Sequence, residues 1–170
     1  LQETATVPGY VLDTAPIPVE VAEHGQMVTV NATNLFARGN VSILKTDAET
    51  DAALPGVHFT LTDSAGQIVA EGDTGEDGTL TFSGLLLGSY TLQETATREG
   101  FVLDTTPIPV EVAEHGKTYS VTAKNTPIWG NLKIVKRDAY EDTPLSGAGF
   151  RLFDSGGHLI DEGYTDANGE

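Results

Sequence analysis

The chain repeats itself at a fixed spacing of 91 residues. Leu1–Gly39 aligns without a gap onto Leu92–Gly130, and Asn40–Thr79 aligns onto Asn131–Glu170. The string Pro-Ile-Pro-Val-Glu-Val-Ala-Glu-His-Gly shows it most plainly, running from Pro16 to Gly25 and again from Pro107 to Gly116. Such a period means that one unit of about ninety residues must bury its own core, with neighbours of the same kind on either side. The chain therefore reads as the back part of one module (1–39), a complete module (40–130) and the front part of a third (131–170). Arrays of one domain type serve as spacers, stalks or fibres more readily than as enzymes.

Composition narrows the partners. Nine Lys and Arg stand against 25 Asp and Glu, which argues against nucleic acid and against anionic membrane surfaces. No stretch approaches the roughly 20 apolar residues of a spanning helix, so membrane insertion is not expected. There is no cysteine, which excludes disulfides and thiolate metal sites. A small exported domain of this kind needs some other covalent staple. No signal peptide is visible, but the chain begins in mid-module, so this is silent on export.

Short runs rich in branched and aromatic residues predict seven strands in the complete module. They are Val41–Leu44, Phe59–Leu61, Ile68–Ala70, Leu80–Phe82, Tyr90–Gln93, Ile108–Val112 and Tyr119–Ala123. Turn formers separate them at Asp63–Gly66, Glu76–Gly78, Leu87–Ser89 and Glu114–Gly116. No segment sustains a helical period. The expectation is all-β: antiparallel β-sandwich modules in tandem, forming an extended array. The junctions Leu35–Asn40 and Thr126–Asn131 are not flexible Gly/Ser linkers, and each carries a bulky apolar pair. They predict a stiff rod, with Trp129 as a junction residue.

Three polar residues stand out by position. Lys45 ends the apolar run Val41–Leu44, Glu94 lies within Tyr90–Glu94, and Asn125 closes Val121–Asn125. Each recurs at the repeat offset, as Lys136, Glu3 and Asn34. On residue type alone, an edge ion pair of Lys45 with Glu94 and a turn cap by Asn125 would account for them.

With these residues in register, the chain resembles the Cna B-type domains of Gram-positive surface proteins and pilins, a SpaA-like, prealbumin-like group. The matching features are the first-strand Ile43-Leu44-Lys45, the Gly88-Ser89-Tyr90-Thr91-Leu92-Gln93-Glu94-Thr95 strand and the closing Val121–Asn125. Leu1–Tyr10 is similar to the pilin E-box. The resemblance implies an inverse immunoglobulin-like sandwich holding a self-formed Lys–Asn isopeptide bond. Lys45 would be the nucleophile, Asn125 the electrophile and Glu94 the proton relay.

The implied chemistry is physically coherent. Burial among Ile43, Leu44 and aromatic neighbours disfavours a charged lysine and frees its lone pair. Burial likewise favours a neutral Glu94, able to donate a hydrogen bond to the amide oxygen. Holding the reactants in contact replaces elaborate catalytic machinery, and the product amide carries no charge. The chain is not an enzyme on this reading, since the cross-link turns over once, and no cofactor or metal is called for.

The partial modules admit two readings. In one, they complement one another, within or between chains, to form a Lys136–Asn34 bond. Alternatively they are parts of a longer array, each completed by adjacent modules. The second is favoured, because both lack the equivalent of Leu80–Thr91, whose Gly-Leu-Leu-Leu-Gly stretch should be core.

Other signals are weak. Gly75–Thr79 and Asp166–Glu170 faintly suggest calcium loops but read better as hairpin turns. His24 and His115 lie in Glu-His-Gly turns without a second histidine at ligand spacing. The pilin lysine motif Tyr-Pro-Lys and the sortase signal Leu-Pro-x-Thr-Gly do not occur, so backbone-pilin polymerisation is unsupported. The expected role is a stalk or fibre segment outside the cell, on a bacterial surface. The alternatives are an adhesin module that binds a host protein or glycan, and an accessory domain of a carbohydrate-active enzyme.

Overall fold

The computed structural model describes residues 1–170. They fall into two compact units, Leu1–Ile128 and Trp129–Glu170.

The first unit contains the repeat that starts at Asn40 as far as Ile128, with seven strands. These are β1 (Arg38–Asp47), β2 (His58–Asp63), β3 (Ile68–Asp73), β4 (Thr79–Leu86), β5 (Gly88–Ala96), β6 (Ile108–Val112) and β7 (Thr118–Asn125). All seven expected strands form. Most are longer than the apolar runs that announced them, because backbone pairing continues through polar residues. β5 reaches Ala96 and so takes Glu94 into the strand.

One sheet has the order β4-β1-β7 and the other β3-β2-β5-β6. Alternate residues of facing strands supply the core: Val41 and Ile43, Phe59 and Leu61, Phe82, Tyr90 and Leu92, Val110 and Val112. Leu54 and Val57 close it from the β1–β2 connection.

One pairing departs from the antiparallel expectation. β1 and β7 run parallel, in register from Asn40 opposite Thr118 to Asp47 opposite Asn125. Period-2 alternation reports which face a residue takes, not the direction of its neighbour. A parallel pair needs a long crossover, and the whole body of the repeat supplies it.

Residues 1–37 reproduce the back half of the repeat in reduced form. Leu1 and Ile17 exchange backbone hydrogen bonds, at the positions where Leu92 faces Ile108 in the complete repeat. The rings of Tyr10 and Phe36 stack with centroids 4.7 Å apart. Phe36 of the junction thus packs within its own segment. Val19 and Val21 are exposed, whereas their counterparts Val110 and Val112 are buried.

The second unit is centred on the hairpin β8 (Gly149–Phe153) and β9 (Leu159–Tyr164). This is the counterpart of β2–β3. Its Leu132 and Leu152 are exposed, where Val41 and Leu61 are buried in the complete repeat.

The two suspected calcium loops are turns whose carboxylates are engaged locally. Asp77 Oδ1 accepts from the Thr79 amide and hydroxyl. Asp166 Oδ1 accepts from the amides of Asn168 and Glu170.

Gly78 is required where it sits. Its φ is +74°, and a Cβ there would collide with the carbonyl oxygen of Lys45. Gly169 has the same relation to Lys136, at φ +75°. The turn thereby grips the backbone of the lysine: Lys45 N donates to Gly78 O, and Lys45 O accepts from Leu54 N. Gly78→Ala should destabilise the first unit by about 1–3 kcal/mol from the strained backbone alone. Thermal unfolding followed by circular dichroism will measure it.

Candidate functional site

Strand arithmetic brings the three singled-out residues together. Along β1 the inward positions are Gly39, Val41, Ile43 and then Lys45; along β5 they are Tyr90, Leu92 and then Glu94. Along β7 the inward side carries Tyr119, Val121, Ala123 and then Asn125. Each polar residue occupies the next core-facing place after a run of smaller or apolar ones. Lys45, Glu94 and Asn125 are 1%, 3% and 1% exposed. The edge ion pair and surface cap are therefore replaced by a buried cluster. It joins β1 and β7 of one sheet to β5 of the other.

The contacts are short and reciprocal. Lys45 Nζ donates to Asn125 Oδ1 at 2.7 Å and pairs with Glu94 Oε2 at 2.7 Å. Asn125 Nδ2 donates to Glu94 Oε1 at 2.5 Å and to Thr97 Oγ1 at 2.6 Å. The ring of Phe59, opposite Glu94 in the β2–β5 register, lies 5.9 Å from Nζ. Phe59 is the aromatic neighbour that the sequence implied. Leu44 is not part of the setting: its position faces outward and it is exposed.

The hydrogen-bond pattern corrects one expectation. Glu94 does not donate to the amide oxygen. That oxygen accepts from the lysine, and the glutamate accepts from the amide nitrogen. Its two oxygens meet the lysine amine and the NH2 end of the amide. One carboxylate thus touches both the amine and the nitrogen that a transamidation would expel.

The partial repeats hold separate halves of this cluster. Asn34 Nδ2 donates to both carboxylate oxygens of Glu3, at 2.8 and 3.0 Å, to Thr6 Oγ1 at 2.8 Å and to the Val11 carbonyl at 3.1 Å. This group lines an open hollow with Ala5, Val7 and Tyr10. In the second unit Lys136 is exposed. Its backbone is held by Gly169 and Leu145 as that of Lys45 is held by Gly78 and Leu54.

Residue type did not single out Thr97. The signal was present: Glu-Thr-Ala-Thr occurs at both Glu3 and Glu94, so Thr6 and Thr97 share the offset. Trp129 and Ile128 at the junction are exposed.

The sheet order and the core place the complete repeat among prealbumin-like β-sandwiches. Over residues 39–127 the sequence matches the SpaA prealbumin-like fold domain, and the chain belongs to that family. Among solved structures it is similar to the Bacillus anthracis TIE protein, with 28% identity and a TM-score of 0.91 over 99% of this chain. It is also similar to GBS52, the minor pilin of Streptococcus agalactiae, with 26% identity and a TM-score of 0.50 over 61% of this chain. The chain spans 32% of the first protein and 50% of the second. No curated protein sequence matches.

Removing one member of a buried ion pair strands the other, at about 3–5 kcal/mol. Glu94→Ala should therefore be less stable than the double variant Lys45→Met, Glu94→Ala, which also removes the stranded cation. Urea unfolding of the two proteins will measure the difference.

Proposed function

We propose that the chain is a structural segment of a Gram-positive surface protein, a stalk or fibre part, and that its complete repeat is braced by a self-formed Lys45–Asn125 isopeptide bond. The single observation carrying this is the buried contact of Lys45 Nζ with Asn125 Oδ1, bridged by one glutamate. Similarity to a minor pilin supports the surface setting and a place outside the cell.

The contacts support the following reaction. Glu94 Oε2 takes a proton from the Lys45 ammonium. The freed amine attacks Cγ of Asn125, and the carbonyl becomes a tetrahedral oxyanion. Glu94 hands its proton to Nδ2, the Cγ–Nδ2 bond breaks, and ammonia departs. Nζ sheds a second proton to Glu94, which ends neutral beside a neutral amide. Proximity supplies much of the acceleration, and relief of a buried ion pair favours the product. Closing a loop between positions 80 apart contributes roughly 4–5 kcal/mol by the loop-entropy relation known for disulfides.

The preferred partners are adjacent repeats of the same array, with domain limits at 1–39, 40–130 and 131–170. In such an array the Glu3–Asn34 pair receives a lysine from a strand equivalent to β1, and Lys136 receives a Glu–Asn pair. Direct pairing of Lys136 with Asn34 is less favoured, because the missing strand is core. Its counterparts Phe82 and Leu85 are buried in the complete repeat.

Intact mass tests the bond. The wild-type chain should be lighter than its formula by one ammonia. Lys45→Ala, Glu94→Ala and Asn125→Ala should each keep the full mass and unfold at lower urea. A second ammonia lost, or a covalent dimer, would instead support Lys136–Asn34 pairing.

The geometry also predicts a mechanical signature. Tension entering at Arg38 and leaving past Asn125 pulls parallel β1 and β7 from opposite ends, in shear. The bond lies at the exit end of both strands and bypasses everything between them. In single-molecule pulling, Lys45→Ala should release about 27 nm of hidden contour length, and the wild-type repeat should not.

A further inference from the structure

We propose that Thr97 is a positioning residue for the leaving nitrogen of Asn125, an assignment that rests on the bond-forming reading above. An amide nitrogen has two hydrogens. Here one goes to Glu94 Oε1 at 2.5 Å and the other to Thr97 Oγ1 at 2.6 Å. Both donors are spent, so the side chain is pinned with its oxygen towards Lys45. A half-turn of the amide would put its oxygen against the Glu94 carboxylate, and the lysine would lose its acceptor. Glutamate alone leaves one N–H unanchored, and threonine supplies the second anchor.

The partial repeat isolates this contact from the lysine. Asn34 Nδ2 meets Glu3 at 2.8 and 3.0 Å, Thr6 Oγ1 at 2.8 Å and the Val11 carbonyl at 3.1 Å, with no lysine among its partners. The threonine–asparagine contact therefore recurs at the repeat offset, in a group that holds no lysine. Thr97 follows the end of β5 at Ala96 and is half-buried, whereas Lys45, Glu94 and Asn125 are buried. Its partly exposed side chain bonds the nitrogen that the reaction expels.

The test is a reaction time course. Protein is taken from inclusion bodies in urea, and intact mass at time zero confirms that no ammonia has yet been lost; dilution starts folding, acid stops the reaction, and intact mass counts the ammonia lost. Wild type, Thr97→Val and Thr97→Ser are compared, with circular dichroism confirming the β-sheet spectrum of each. Thr97→Val keeps the shape and removes the acceptor, and should react about tenfold more slowly, as loss of one buried hydrogen bond predicts. Thr97→Ser restores the hydroxyl and should react near the wild-type rate. Thr97→Ala replaces the valine variant if that does not fold. Equal rates in wild type and the hydroxyl-free variant overturn the assignment and leave the bond intact. A serine variant as slow as the valine one also overturns it, since packing rather than the hydroxyl would then be at work. A wild type that never loses ammonia overturns the bond-forming reading itself.

Discussion

The interior of the complete repeat is organised around an ion pair sealed from water. A lysine and a glutamate buried to within a few per cent of their surface carry a desolvation cost of several kcal/mol each, and only close mutual contact offsets it. That requirement fixes more than side chains. β1 must deliver Lys45 and β5 must deliver Glu94 to one point between two sheets. β7 must end with Asn125 beside them. The glycine at position 78 clasps the lysine backbone from the far side, and Phe59 walls the cluster from β2. The hydrophobic core and the polar cluster are one layer, read along the same inward positions.

Much of this was legible in residue order. The 91-residue period set the unit, and turn-forming residues between branched runs marked seven strands. The three polar residues were visible because they recur, and their burial follows from parity: Val41, Ile43 and Lys45 share a face, as do Leu92 and Glu94. Strand direction was not legible. Nothing in Val121–Asn125 says that it lies parallel to β1, because that depends on how the intervening strands route the chain. The roles of the two ends of the amide were also hidden. They depend on which end of the amide faces the lysine and which faces the glutamate, and only the assembled cluster decides it. Leu44 was misplaced for a simpler reason, since adjacency in sequence is opposition in a strand.

The partial repeats show what completeness contributes. Residues 1–37 hold their Glu–Asn–Thr group with short hydrogen bonds, yet Val19 and Val21 stay in water. The second unit forms its hairpin and its glycine clasp, yet Leu132 and Leu152 are exposed. In the complete repeat the polar group, like the core, draws on both sheets.

The parallel pairing of β1 with β7 has a consequence for how such a chain is made. The first strand of the repeat to leave the ribosome waits for the last, so its outer edge has no partner until nearly the whole period has been synthesised. Where related periods share a chain, that waiting edge can meet a closing strand other than its own, a route to exchanged strands. Divergence between copies, such as Tyr119 where the preceding period has Val28, gives each edge a reason to prefer its own strand.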